Sequence, residues 1–195
     1  MPCTRLNVPR VQQIDDDSCG PACAQMILLA LHLVRDGSDD VQRALGKEIQ
    51  HSTKSAGVRT TERCATPPAL EWATHPVGLQ RTLNAHIKPK ATEVIPSAEE
   101  DTAAGHALRS VKRGIAAAAL VSDATHWIVV FGCEHSTRRE LPTLELNGDP
   151  VTHILVRDPA LSGFPVRMTL DEWTAGLYRV KCGKFNQKCI VVGAR

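Results

Sequence analysis

From residue 115 onward the sequence changes character. IAAAALVSD, HWIVVFGCE, THILVRDP, GLYRVKC and KCIVVGAR are short apolar runs, most of them β-branched, separated by Asp, Gly, Asn and Pro. Runs of this kind between turn formers read as strands. The pattern predicts five strands, with a small helix at LDEWTAG between the third and the fourth. The earlier half reads differently. Residues 1–18 look extended or loop-like, and a helix is predicted from about Cys19 to Arg35, stopped by DGSDD. DVQRALGKEIQ reads as a short helix, and another falls near Val77–Ala85. SAEEDTAAGHALRSVKRG reads as a helix from Ser97 to Gly114, with Gly105 as a point where it could break. Helices first and strands second predict an α+β chain of two lobes, with any cleft between them. The expected boundaries are a helical part over about 15–114 and a sheet part over about 115–195, together one domain of 195 residues.

A chain of 195 residues can bury a core without disulfide staples. Its net charge of +2 gives no reason to expect a nucleic-acid partner or an acidic membrane surface. Seven cysteines cannot all pair within one chain, and no CxxC occurs, so the usual zinc and redox spacings are missing. No GxxxxGK[ST] loop is present. The stretch MPCTRLNVPRVQQIDDD has no apolar core of a secretory signal, and MILLALHLV and IAAAALV are far short of a membrane span. The expectation is a cytoplasmic protein with mostly free thiols, no cofactor, no metal and no membrane segment. Export by a route that needs no signal would leave no mark in such a sequence, and oligomeric state is not legible.

The stretch QQIDDDSCGPACAQMILLALHLV sets one cysteine where a loop turns into a helix. Asp17 or Ser18 can N-cap that helix, and its first turn holds Gly20 and Pro21. A helix N-terminus offers free backbone N–H groups and the positive end of the macrodipole, which favour a thiolate there. A lone cysteine in such a place is more often a small buried residue than a nucleophile. What changes the balance is company. His126 opens the strand HWIVVFG, and Asp158 ends the strand ILVRDP, so neighbouring strand ends could bring the two together. Asp158 could then orient one imidazole nitrogen while the other faces the Cys19 thiol. Gln13, six residues before Cys19, could add its amide to the Cys19 N–H as an oxyanion hole. The three aspartates Asp15, Asp16 and Asp17 work against a thiolate unless they turn away or cap the helix.

The Gln–x5–Cys-Gly-Pro stretch, the His-Trp strand and the later Asp-Pro resemble the papain-like cysteine peptidases, and within these the bacteriocin-processing (double-glycine leader) peptidase domains and their stand-alone relatives. The resemblance covers roughly residues 10–35 and 115–175. It implies a papain-like two-lobed fold, with a helical lobe carrying the cysteine and an antiparallel sheet carrying the histidine and aspartate. It implies Cys19 as nucleophile, His126 as general base and acid, Asp158 as the residue orienting His126, and Gln13 as the oxyanion donor. The activity implied is hydrolysis of a peptide or isopeptide bond through a thioester, on a peptide or protein substrate. Acyl transfer or glutamine deamidation would use the same thioester, and a non-catalytic module could grip a peptide on the same scaffold.

Other residues compete for roles. Asp149 or Asn147 could replace Asp158, although NGDP reads as a turn whereas Asp158 follows a strand directly. Cys23, one turn beyond Cys19, is a core residue before it is a redox partner. His135 and His153 read as surface or hairpin residues, and Cys133-x-His135 is too thin for a metal site. His32 falls in a leucine-rich helix as a partly buried residue. Cys182 and Cys189 bracket GKFNQK, where two independent thiols are expected in a reducing compartment. Trp127 could shield the imidazole or fill a sheet face. Residues 36–114 match the resemblance least and are the expected source of substrate specificity.

Overall fold

The computed structural model describes residues 3–57, 74–88, 91–97, 100–121, 126–135, 145–146, 149–174 and 189–194. Its elements are β1 (Cys3–Arg5), α1 (Cys19–Ala30), α2 (Asp39–Ser55), α3 (Pro76–His86), β2 (Thr92–Ser97), α4 (Glu100–Lys112), β3 (Ala117–Val121), β4 (His126–His135), β5 (Glu145–Leu146), β6 (Asp149–Arg157), β7 (Val166–Thr169), α5 (Leu170–Thr174) and β8 (Cys189–Ala194). This is the α+β architecture of helices and an antiparallel sheet that the sequence led us to expect. The sheet runs in the order β2-β8-β3-β4-β6-β5, with β1 on β4 and β7 on β6. Every pairing is antiparallel. The expected strand GLYRVKC and the loop GKFNQK lie outside the described residues.

The division into a helical part followed by a sheet part is too simple. β2 comes from the middle of the expected helical half and pairs along its length with β8 at the other end of the chain. β1, from the stretch read as extended or loop-like, pairs with residues 132–134 of β4. β5, β2 and β7 are two to six residues long, too short for alternation to mark them.

Strand β4 explains the unbroken apolar run HWIVVFG. Its residues alternate between two cores: Trp127, Val129 and Phe131 belong to the one built with α1, α2 and α3, while Ile128 and Val130 belong to the one built with α4 and α5 on the other face. With both faces covered, the central positions 127–131 are all apolar, and the polar residues His126, Glu134 and His135 fall at the strand's ends. A register shift against β6 between Val130 and Gly132 marks a bulge at Phe131.

Helix α1 stops at Ala30, five residues before the expected Arg35. His32 adopts φ 58°, and the bonds Leu33 N–H to Leu28 C=O and His32 N–H to Leu29 C=O close a Schellman cap. A histidine takes the left-handed place that glycine usually holds, so no glycine announced the end. His32 is consequently exposed, not partly buried inside a helix. Helix α2 is longer than DVQRALGKEIQ, because Asp39 and Asp40 fill its first turn and Lys54 its last. Its residues Gln42, Leu45, Ile49 and Thr53 form one buried face. Helix α4 runs through a buried Gly105 without a break.

Candidate active site

Cys19 is the first residue of α1 and is only 3% exposed. Helix α1 packs its Ala22, Cys23, Met26 and Ile27 into the core it shares with Trp127 and Val129, which fixes its N-terminus beside the start of β4. Gly20 makes the approach feasible. A Cβ there would lie 2.2 Å from Thr74 Oγ1 and 2.4 Å from Thr74 Cβ. Thr74 is held from the other side, since the Trp127 indole Nε1 donates to its carbonyl at 3.1 Å. Trp127 is thus a core strut on the α1 side of the sheet, with its N–H satisfied.

His126 and Asp158 meet as expected. Antiparallel pairing sets Val129 opposite Arg157, so the turn after β6 comes back beside the first residue of β4. His126 Nε2 lies 2.7 Å from Asp158 Oδ1, and Cys19 is near enough to the ring to favour its protonated form. With Nε2 given to the carboxylate, Nδ1 is the nitrogen left for the sulfur. Burial alone would lower the basicity of this imidazole. The hydrogen bond to Asp158 and the nearness of Cys19, with the charges of both, outweigh burial and carry His126 up to about 9. Burial would likewise raise Asp158, but its bonds from His126 and from the Ala160 N–H hold it below its usual value.

Gln13 joins from the loop before α1. Its backbone N–H donates at 3.0 Å to the carbonyl of Pro159, the residue after Asp158. Its side-chain Oε1 is buried with no hydrogen-bond partner among the described residues. The three aspartates are exposed, and the loop turns on Asp15: its Oδ1 accepts the Ser18 hydroxyl and, at 3.2 Å, the Asp17 N–H. The expected N-cap is corrected in consequence. Ser18 occupies the cap position but makes no side-chain capping bond, because its hydroxyl is committed to Asp15. A cleft of about 570 Å³ opens between this loop and α2, lined by Ile14, Asp15, Asp17, Ser18, Arg43 and Lys47 among others.

The competing candidates fall elsewhere. Asp149 begins β6, at the opposite end of that strand from Asp158 and toward His135 rather than His126. Asn147 and Cys182 lie outside the described residues. Cys23 is fully buried, and burial, with Cys19 and Asp158 nearby, pushes its thiol well up. His135 is buried rather than on the surface, with Nε2 at 3.4 Å from Cys133 Sγ. His153 is half-buried, with Nδ1 3.6 Å from Glu134. Among the described residues no helix is long and apolar enough to cross a membrane.

Sequence reasoning missed a pair of buried amides. Gln25 of α1 is fully buried, and its Nε2 donates to the carbonyls of Asp36 at 3.2 Å and Ser38 at 2.9 Å. Gln42 of α2 donates to Gln25 Oε1 at 3.2 Å and to the Gln12 carbonyl at 3.0 Å, and accepts the Ile14 N–H at 3.0 Å. The available signal was a glutamine standing among Leu45 and Ile49 where the helical period calls for an apolar residue.

No protein-family model matches the sequence, and no curated protein matches it. Solved structures do. A putative C39-like peptidase from Bacillus anthracis superposes with TM-score 0.60 at 15% identity, covering 100% of this chain and 99% of its own. A double glycine motif protease from an AMS/PCAT transporter, solved in complex with the leader peptide, gives TM-score 0.51 at 13% identity over 98% of this chain and 94% of that one. The peptidase domain of Streptococcus ComA, a bi-functional ABC transporter involved in a quorum sensing pathway, gives 0.51 at 14% identity over 95% and 97%. The chain therefore has the fold of the C39-like, double-glycine peptidase domains.

Proposed function

We propose that this chain is a cysteine peptidase that cleaves a peptide after a pair of glycines. The observation that carries the reading is the imidazole of His126 held between the Asp158 carboxylate and Cys19 at the head of α1. Cys19 attacks the scissile carbonyl as thiolate, with its proton on His126. The tetrahedral oxyanion receives the Cys19 N–H, free at the first position of the helix, and the side-chain amide of Gln13. The imidazolium passes its proton from Nδ1 to the leaving amine, and the C–N bond breaks to leave a thioester. The neutral ring then takes a proton from water, whose hydroxide displaces the thiolate, and the reprotonated ring restores the starting pair. Asp158 keeps its charge throughout and fixes the orientation of the ring.

The preference for a double glycine is drawn from the protease solved with its leader peptide, together with a nucleophile so deeply set. Residues without a Cβ let a backbone approach closely. The cleft beside Asp15 and Arg43 leaves room for residues further along the substrate. The test is mass spectrometry of synthetic peptides carrying an internal Gly-Gly, incubated with the protein. Cleavage after the second glycine, lost in Cys19→Ala, is the expected result. Intact peptide with the wild type, or equal cleavage by Cys19→Ala, overturns the reading.

A further inference from the structure

We infer that Gln42, on α2, is a positioning residue for the oxyanion hole: its one amide clamps the two peptide groups on either side of Gln13. This rests on the oxyanion role proposed for Gln13. The geometry allows one orientation only. The Gln12 carbonyl can only accept and the Ile14 N–H can only donate, so the Gln42 nitrogen must face the first and its oxygen the second. The second amide proton of Gln42 goes to Gln25, whose own nitrogen is anchored on the carbonyls of Asp36 and Ser38. Both side chains are buried, at 1% and 0% exposure, and every polar atom of Gln42 is used. The Gln13 N–H between the two clamped groups is itself bound to Pro159 O. Three backbone groups, the Gln12 carbonyl and the Gln13 and Ile14 N–H groups, thus tie Gln13 to α2 on one side and to the turn bearing Asp158 on the other.

A loop held this way explains a cost seen at Gln13. Its Oε1 is buried with no hydrogen-bond partner among the described residues, a state that disfavours folding. A free loop would relax by turning the amide toward water. The clamp removes that freedom, so the side chain stays where its nitrogen can serve an oxyanion.

The test separates the sulfur from the oxyanion. Iodoacetamide reads the thiolate and forms no oxyanion. A peptide aldehyde ending in glycyl-glycinal adds Cys19 across its carbonyl, and the hemithioacetal oxygen then occupies the hole. Aldehyde affinity is measured by protection of Cys19 from iodoacetamide, with wild type, Gln42→Met, Gln13→Ala and the double variant. The expected result for Gln42→Met is aldehyde affinity weakened by about tenfold or more, with alkylation of Cys19 within about twofold of wild type. In the Gln13→Ala background Gln42→Met adds no further loss, because it acts through Gln13. Unchanged aldehyde affinity in Gln42→Met, or losses that multiply in the double variant, overturns the inference.

Should Gln42→Met fail to fold, Gln42→Glu carries the test. A neutral glutamic acid still accepts the Ile14 N–H and donates one proton to Gln12 O, so its affinity for the aldehyde stays near wild type at low pH. Relative affinity falls as the pH is raised and that proton is lost. A flat ratio across pH overturns the clamp. The readout needs no turnover. If no Gly-Gly peptide is cleaved but the aldehyde behaves as described, the substrate assignment fails and the clamp stands. A wild type that does not bind the aldehyde overturns both.

Discussion

His126 Nε2 lies 2.7 Å from Asp158 Oδ1, and the same oxygen accepts the Ala160 N–H at 2.8 Å. One carboxylate oxygen therefore sets the ring and closes its own turn. The arrangement fixes a pH dependence. His126 is raised from 6.5 to about 9, so the imidazolium that the proposed reaction uses persists through neutral pH. Turnover should change its pH dependence near pH 9 rather than near 6.5. The measurement is kcat/KM against pH from 6 to 10.5. A limb near 6.5 would show that the ring gains nothing from its partners.

The same shifts have a sign for stability. A raised histidine stabilises the folded state fully below its unfolded value of 6.5 and loses that contribution as the pH rises through 9. A depressed Asp158 stabilises above its ordinary 3.8 and loses its contribution as the pH falls through the folded value. Urea unfolding of wild type and His126→Ala should therefore differ most near pH 5–6 and converge toward pH 10. Divergence at high pH would contradict the linkage.

Asp158→Asn keeps the shape of the site and removes its charge. The amide oxygen can still accept from Ala160, but it no longer offsets the burial that lowers the basicity of His126. The expected effect on kcat/KM is a loss of about 10²-fold or more, with the basic limb moved well below 9. A loss of rate with an unmoved limb would assign Asp158 to scaffolding alone.

Gly20 in the Cys-Gly-Pro stretch answers to packing. A Cβ there would meet Thr74 side-chain atoms at 2.2–2.4 Å, far inside contact distance. Gly20→Ala should cost about 1–3 kcal/mol in denaturant unfolding and displace the first turn of α1, lowering the alkylation rate of Cys19. A stable, fully reactive variant would show that Thr74 yields freely.

How far the sequence revealed this molecule follows the range of the signals. Cys19, His126 and Asp158 stood out because each sits at the end of an element whose period is strong: a leucine-rich helix and two apolar strands. The meeting of His126 and Asp158 follows from antiparallel pairing of β4 and β6, and Cys19 reaches them because α1 packs against β4. Strands β1 and β2 were missed because they gain their place by pairing with β4 and β8, far along the chain, and carry little pattern of their own. The end of α1 was missed because His32 took a conformation that glycine usually signals. Gln25 and Gln42 were passed over because a single glutamine reads as surface, and only the fold shows that each amide meets three partners inside the protein.

Trp127 beside His126 separates two roles that a sequence cannot. As a strut, its indole N–H holds the Thr74 carbonyl, and Thr74 in turn backs Gly20. As a shield, its ring would keep water from the imidazole. Trp127→Phe keeps an apolar ring and removes the donor. The strut predicts a stability loss of about 1–3 kcal/mol from the orphaned carbonyl, together with any cost of the smaller ring, while the limb near pH 9 stays in place. The shield predicts the reverse, a moved limb with little change in unfolding. Since Trp127 is buried among core residues on the α1 side, the first result is expected, and urea unfolding with a pH–rate profile on the same variant decides between them.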